Sequence, residues 1–192
     1  MGRNMFTFCF VLSLLCGCCS SLGCKWIKDD LYKPTSKETM NLLKHMGKEF
    51  VKERAHMHIP PKAYKMHKHM KLGDNVFEVY EAFLNISKIF NLNQDSVTTW
   101  NSTALDIFRN NLYRQTKELR SCMQEMKYSD NRRSSEIKTL ESYFKKLEHF
   151  LENKNYSAHA WEVIRIQVQD NLERMDRFTA HIRTHMMDNS NV

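Results

Sequence analysis

The sequence predicts an all-α protein: a long-chain bundle of helices A, B, C and D and a longer last helix, with a long crossover between A and B. Two observations lead there. Among 192 residues there are only 5 Gly and 3 Pro, and from Asp74 to Val192 neither occurs. Strands need tight turns built from Gly, Pro and Asn, so a sandwich or barrel is excluded. Rossmann and Walker-type phosphate loops need clustered glycines, which excludes them from the same stretch. Apolar residues, in turn, recur at steps of three and four, the helical period.

The first 23 residues read as a secretory signal. Arg3 gives a positive start, Met5 to Cys16 is a short apolar run, and small residues end in Ser21-Leu22-Gly23, placing cleavage before Cys24. A signal anchor and a bacterial lipoprotein are the rivals. The Cys/Gly/Ser-rich second half makes a poor spanning helix, and a lipoprotein would prefer Leu where Ser21 stands. The mature domain is then 24–192, secreted, with no membrane insertion. Cys9, Cys16, Cys18 and Cys19 leave with the signal, so Cys24 and Cys122 remain. In an oxidising compartment these two allow one internal disulfide, with free thiols or intermolecular pairing as the alternative.

Helix A is expected from Pro34, with Thr35 and Glu38 in capping-box spacing and Met40, Leu43, Met46 and Phe50 as its stripe. Gly47 ends it. The crossover to Gly73 is rich in Lys, His and Met, with a short helix expected at Pro61. Helix B opens with Asp74 as N-cap. Val76, Phe77, Tyr80, Phe83, Leu84 and Phe90 share one side of it, against Glu78, Glu81, Asn85 and Lys88 on the polar side.

Helix C spans about 101–126, with Trp100, Ala104, Ile107, Phe108, Leu112, Leu119 and Cys122 as its stripe. A polar loop from Tyr128 to Ser134 precedes helix D, which Ser134 or Ser135 caps. Its Ile137, Leu140, Phe144, Leu147 and Leu151 follow the 3,4 bundle seam. The last helix, about 158–187, keeps the seam through Trp161, Ile164, Val168, Leu172, Met175, Thr179, Ile182 and Met186. Val163 and Ile166 point away from it.

Three sequons are present: Asn85-Ile-Ser87, Asn101-Ser-Thr103 and Asn155-Tyr-Ser157. Asn85 falls on the polar face of helix B and Asn155 in a short exposed connection. Asn101 competes with its own role as helix N-cap.

Catalysis has no foothold. No Gly-x-Ser-x-Gly, His-Glu-x-x-His or pair of Cys-x-x-Cys motifs occurs, and the carboxylates sit beside Lys or Arg on polar faces. His56-Met-His58 and His67-Lys-His69 lack the Cys, Asp or Glu that would complete a metal site, so neither a metal nor a cofactor is expected. Lys62, Lys65, Lys68 and Lys71 recur every third residue. If helical they form a basic stripe for sulfated glycans or an anionic membrane; otherwise they are a solvated loop. The net charge of +7 does not make nucleic acid a partner for a secreted chain.

The segments Trp100-Asn-x-Thr-x-Leu105-Asp106-x-Phe108 and Leu112-Tyr113-x-Gln115-x-x-x-Leu119-x-x-Cys122 resemble the corresponding helix of type I interferons. Tyr143-Phe144 with Leu147 continues the likeness. Lys154-x-Tyr156-Ser157-x-x-Ala160-Trp161-Glu162-Val163-Ile164-Arg165 resembles the family signature opening the last helix. His159 stands where many members have a Cys, and the crossover has no Cys, so their second bridge is absent. That is similar to the two-cysteine class of fish type I interferons, in which an N-terminal Cys pairs with one on helix C, as Cys24 and Cys122 would.

The resemblance implies a secreted, monomeric antiviral cytokine of the long-chain helical type, not an enzyme. It would bridge two different class II cytokine receptor chains and bring their cytoplasmic kinases together. One chain would meet helix A, the crossover and the last helix; the other would meet the B, C and D side. Arg165 matches an Arg that relatives use toward the first chain, with local pairing to Glu162 or Glu118 as the structural alternative. Arg54 is a further candidate, and Val163 and Ile166 are either interface or packed under the crossover. Other readings are a helical cytokine of another class II branch, such as the interleukin-10-like group, and a basic glycan- or membrane-binding defence protein.

Overall fold

A computed structural model describes residues 24–47, 57–92, 100–129 and 134–188. The signal segment, Arg54 and Phe50 lie outside the described residues. Among the described residues six helices follow in order: α1 (Lys25–Lys28), α2 (Tyr32–Met46), α3 (Leu72–Phe90), α4 (Ser102–Glu125), α5 (Ser135–Asn153) and α6 (Ala158–Asp188). They correspond to A, B, C, D and the last helix, preceded by one short turn of helix. No strand occurs among the described residues.

Contacts between helix ends fix the topology. At one pole Trp100, just before α4, bonds Glu162 near the start of α6, and Arg165 bonds carbonyls at the end of α2. At the opposite pole Cys24 is linked to Cys122 near the end of α4, and Arg183 near the end of α6 bonds Lys28. Helices α2 and α3 therefore both run toward the first pole, and α4, α5 and α6 alternate after them. Two parallel neighbours cannot be joined by a tight turn. The chain must return the length of a 19-residue helix, roughly 28 Å at 1.5 Å per residue, and that return is the crossover.

Helix α3 is the central element, packed on α4, α5 and α6. Its burial corrects the two-sided expectation: Glu78 and Glu81 are buried, Asn85 is half-buried, and Leu84 is exposed. A helix covered on three sides has no polar face for its wheel to reveal. Asp74 acts from inside the first turn, where its carboxylate accepts the Lys71 amide at 2.7 Å. Gly73 sits in the same turn because an added Cβ would lie 2.7 Å from the ring of Tyr128.

Helix α2 starts two residues before Pro34, and Thr35 is buried inside it with no capping role. Pro34 is tolerated there because first-turn amides have no intrahelical acceptor. Asn101 caps α4 by accepting the Ala104 amide at 2.9 Å, and Ser134 caps α5 by accepting that of Ile137 at 3.3 Å. Every expected seam residue of α5 and α6 is buried; on α4, Ile107 is exposed and Ala104 half-buried. Residues 61–64 form a turn, not the expected helix. Phe90, Trp100, Phe108 and Trp161 pack ring to ring with centroids 4.7–5.9 Å apart, closing the core at the first pole.

The disulfide ties the N-terminus to a residue 98 positions later, and Cys24 N–H also bonds Glu125 at 2.8 Å. Replacing both cysteines by Ser is expected to lower stability by about 2–5 kcal/mol, read from denaturant midpoints with the helical circular-dichroism spectrum retained.

Candidate functional site

A helix leaves its last four carbonyls without intrahelical partners. In α2 three of these are satisfied from distant chain. Arg165 donates to the carbonyls of Leu43 at 2.9 Å and Lys44 at 3.0 Å, and the Asn101 amide reaches that of Met46 at 2.9 Å. The rest of the guanidinium is held by Glu162, with Nε and Nη2 donating to Oε2 at 2.9 and 2.6 Å. Glu162 Oε1 accepts from Trp100 Nε1 at 2.6 Å. A cation at a helix C-terminus is also favoured by the helix dipole.

The guanidinium and carboxylate at the centre of this assembly are buried. Arg165 is 0% exposed, so it is not a surface contact of the free chain; its interactions are those of the local-pairing alternative. Glycine is required at 47 for the same reason. A Cβ there would lie 2.7 Å from Arg165 Nε and 2.8 Å from Glu162 Oε1. Val163 and Ile166 are likewise buried and stand apart from the main core cluster. They offer no apolar patch as the chain stands. Arg54 lies outside the described residues.

Exposed apolar side chains occur instead on α3 and α4. Tyr113 is 69% exposed, with Leu84 and Ile107 also outward. Tyr113 and Leu84 flank a groove that Arg109 and Thr116 also line. On the other side, Pro34, Lys37, Asn41 and His45 of α2 line a shallow depression with Ala104. Tyr113 stood in the sequence as an off-stripe aromatic, a signal for surface exposure that a search for seams passes over.

The crossover is pinned by a buried polar chain. Tyr64 holds a left-handed conformation, φ 59°, and its amide donates to Glu78 at 2.7 Å. Its hydroxyl donates to Asn171 at 2.8 Å, and Asn171 donates onward to the hydroxyl of Tyr143 at 2.9 Å, which bonds Gln167. Burial raises the Glu78 carboxyl to about 7, against the lowering effects of the Tyr64 amide and His67. Its second oxygen is buried without a hydrogen-bond partner. Glu136 behaves oppositely: its own amide at the start of α5, with Ser135 and His69, holds it down to about 2. Burial raises the hydroxyls of Tyr64 and Tyr143 well above the usual tyrosine range.

Lys62, Lys65, Lys68 and Lys71 are all exposed. They follow turns and extended backbone, so they do not form the helical stripe considered from spacing. Among the described residues no group of three or more His, Cys, Asp or Glu could hold a metal ion. Asn101 and Asn155 are exposed, and Asn101 caps through its oxygen, which leaves its amide nitrogen available for a glycan. Asn85 is half-buried and donates from that nitrogen to the Glu81 carbonyl at 2.7 Å.

Comparison with known proteins places this geometry. The family model described as interferon alpha/beta domain matches residues 31–182. Interferon a3 of Oncorhynchus mykiss is 34% identical over 169 residues, covering 88% of this chain and 89% of that one. Human interferon beta is 29% identical over 137 residues, covering 69% and 72% respectively. Among solved structures, zebrafish interferon 1 aligns with a TM-score of 0.71 at 27% identity, covering 83% of this chain and 99% of that one. Zebrafish interferon 2 gives 0.63 at 29% identity, covering 74% and 96%.

Arg165→Ala is expected to cost about 3–5 kcal/mol, because Glu162 and two α2 carbonyls lose their partner inside the protein. Arg165→Lys should recover only part of that, since an ammonium cannot serve both sides of the guanidinium. Chemical denaturation checks both; an unchanged midpoint for Arg165→Ala would refute the structural role. For Glu78 the sign is set by its raised value. The unfolded carboxyl loses its proton near 4.5 and the folded one near 7, so its stabilising effect is complete below about pH 4.5 and fades as pH rises through 7. Wild-type stability should fall by roughly 2–3 kcal/mol across that window, with Glu78→Gln removing the fall. Glu136 acts in a separate window, its stabilisation being lost only as pH drops from the ordinary carboxylate range toward 2.

Proposed function

The chain belongs to the interferon alpha/beta family, and from that premise we propose that it is a secreted antiviral cytokine bridging two class II cytokine receptor chains. Its family is one of cytokines and not of enzymes. The match to residues 31–182 carries this reading, because it spans the bundle from α2 through most of α6. Residues 1–23 act as the signal peptide, and the mature monomer begins at Cys24.

The mechanism is affinity without chemistry. One receptor chain meets α2, the crossover and α6; the other meets the α3, α4 and α5 side. Capture by the first at the membrane raises the effective concentration of ligand for the second, so occupancy of the weaker receptor sets signal strength. Apposed receptors bring their associated kinases together and antiviral genes are induced. No described helix is long and apolar enough to cross a membrane.

Arg165 contributes at one remove, by holding the end of α2 where the crossover departs. Val163 and Ile166 support the same surface from beneath. Direct contact on the second side falls best to Tyr113, a large amphipathic ring beside a groove, the kind of residue that dominates interface energetics. Arg54 remains a candidate contact of the crossover. Carbohydrate at Asn101 and Asn155 is compatible with both faces.

Purified mature protein should induce antiviral genes in cells of its source and bind two different receptor ectodomains. Failure of both would overturn the reading. Tyr113→Ala should weaken one of the two receptor interactions by about tenfold or more while leaving the other, and the melting temperature, unchanged.

A further inference from the structure

The pole opposite Trp100 and Arg165 carries a basic feature to which receptor bridging assigns no specific role. Two concave grooves meet there at Leu72. One, of about 880 Å³, runs past His69, Lys71, Lys127 and Tyr128; the other, of about 420 Å³, runs past His67, Lys68 and His181. Together they make a trough across the start of α3, fed by the crossover, the end of α4 and the end of α6.

The trough is basic. Lys68, Lys71 and Lys127 are exposed, and none lies within ion-pair distance of a carboxylate among the described residues. Lys62 and Lys65 share both properties and extend the cationic track back along the crossover. Two carboxylates line the trough and a third, Glu136, lies behind His69. Asp74 is engaged by the Lys71 amide at 2.7 Å, and Asp188 closes the α6 end. The backbone carrying these cations is held in place, since Tyr64 is anchored to Glu78 and Asn171 and His69 sits 3.5 Å from Glu136. Asn101 and Asn155 lie at the other pole, so glycans there would leave this surface open.

We propose that this pole binds a sulfated glycosaminoglycan, with Lys68, Lys71 and Lys127 as its principal contacts and Lys62 and Lys65 extending the track. An elongated polyanion fits a trough with point charges along its length, whereas a flat anionic membrane would reach only the rims. The binding would concentrate the protein at cell surfaces, and part of its track shares the crossover with the surface assigned to the first receptor chain.

The test is titration of the mature protein with a heparin dodecasaccharide in about 0.15 M salt, where exposed charges are already substantially screened. The triple variant Lys68→Gln/Lys71→Gln/Lys127→Gln is compared with Lys145→Gln/Lys146→Gln/Lys154→Gln, which removes the same charge from exposed sites toward the other pole. The first should bind at least about tenfold more weakly and the second within about twofold of wild type, with both melting normally. Equal losses in the two variants would mean net charge alone and overturn the site, as would no binding at this salt. Binding to phosphatidylserine vesicles that the dodecasaccharide fails to displace would overturn it in favour of a membrane. Receptor-ectodomain binding by the wild-type protein, measured without the dodecasaccharide, is read separately: receptor binding without dodecasaccharide binding overturns this site alone, and the converse overturns the cytokine reading alone.

Discussion

A buried arginine must have its donors satisfied from fixed directions or the fold does not form. Arg165 meets that requirement by joining three parts of the chain that share no sequence neighbourhood: the last turn of α2, the first turns of α6 and, through Glu162, the indole before α4. Much at the first pole follows from it. Residue 47 must lack a side chain, the aromatic cluster is held at the register Trp100 sets, and the crossover must leave from the point where the guanidinium stops α2. The residue that most resembles a binding determinant is the one the interior can least spare.

The same device recurs. Glycine commonly ends helices by turning left-handed and satisfying the last carbonyls locally, but this chain has almost none to use. Arginines from elsewhere do the work instead. Arg183 of α6 bonds the carbonyl of Lys28 at the end of α1, and Arg109 of α4 bonds that of Phe90 at the end of α3 with two nitrogens. Local left-handed turns still occur, at Lys127, Asn155 and Tyr156, on residues with a Cβ. Scarcity of glycine is thus matched by long-range capping and a few turns held in a less favoured conformation.

Legibility in the sequence followed amphipathicity. The seams of α5 and α6 could be read residue by residue because each helix has one wet side, and the caps at Asn101 and Ser134 because their chemistry is local. Helix α3 defeats the same reading: Glu78 and Glu81 look like a polar face, yet the face is covered, and the crossover amide of Tyr64 meets the Glu78 carboxylate beneath it. The start of α2 is not legible because Thr35 and Glu38 satisfy a capping pattern that tertiary packing overrides. Arg165 was ambiguous in principle. Its i,i+3 spacing to Glu162 was visible, but the α2 carbonyls lie more than a hundred residues away and carry no side-chain signature.

These distant caps also govern when the molecule can exist. Arg165 and Arg183 belong to the final helix, and the carbonyls they complete belong to the first two. On a growing chain those early helices emerge with their ends unmet, and Cys24 must wait for the end of α4. Local helices can flicker during synthesis, but the native domain closes only once its C-terminal segment has been delivered. A nascent polypeptide built this way stays open until its last helix is complete, and its early helix ends are met only then.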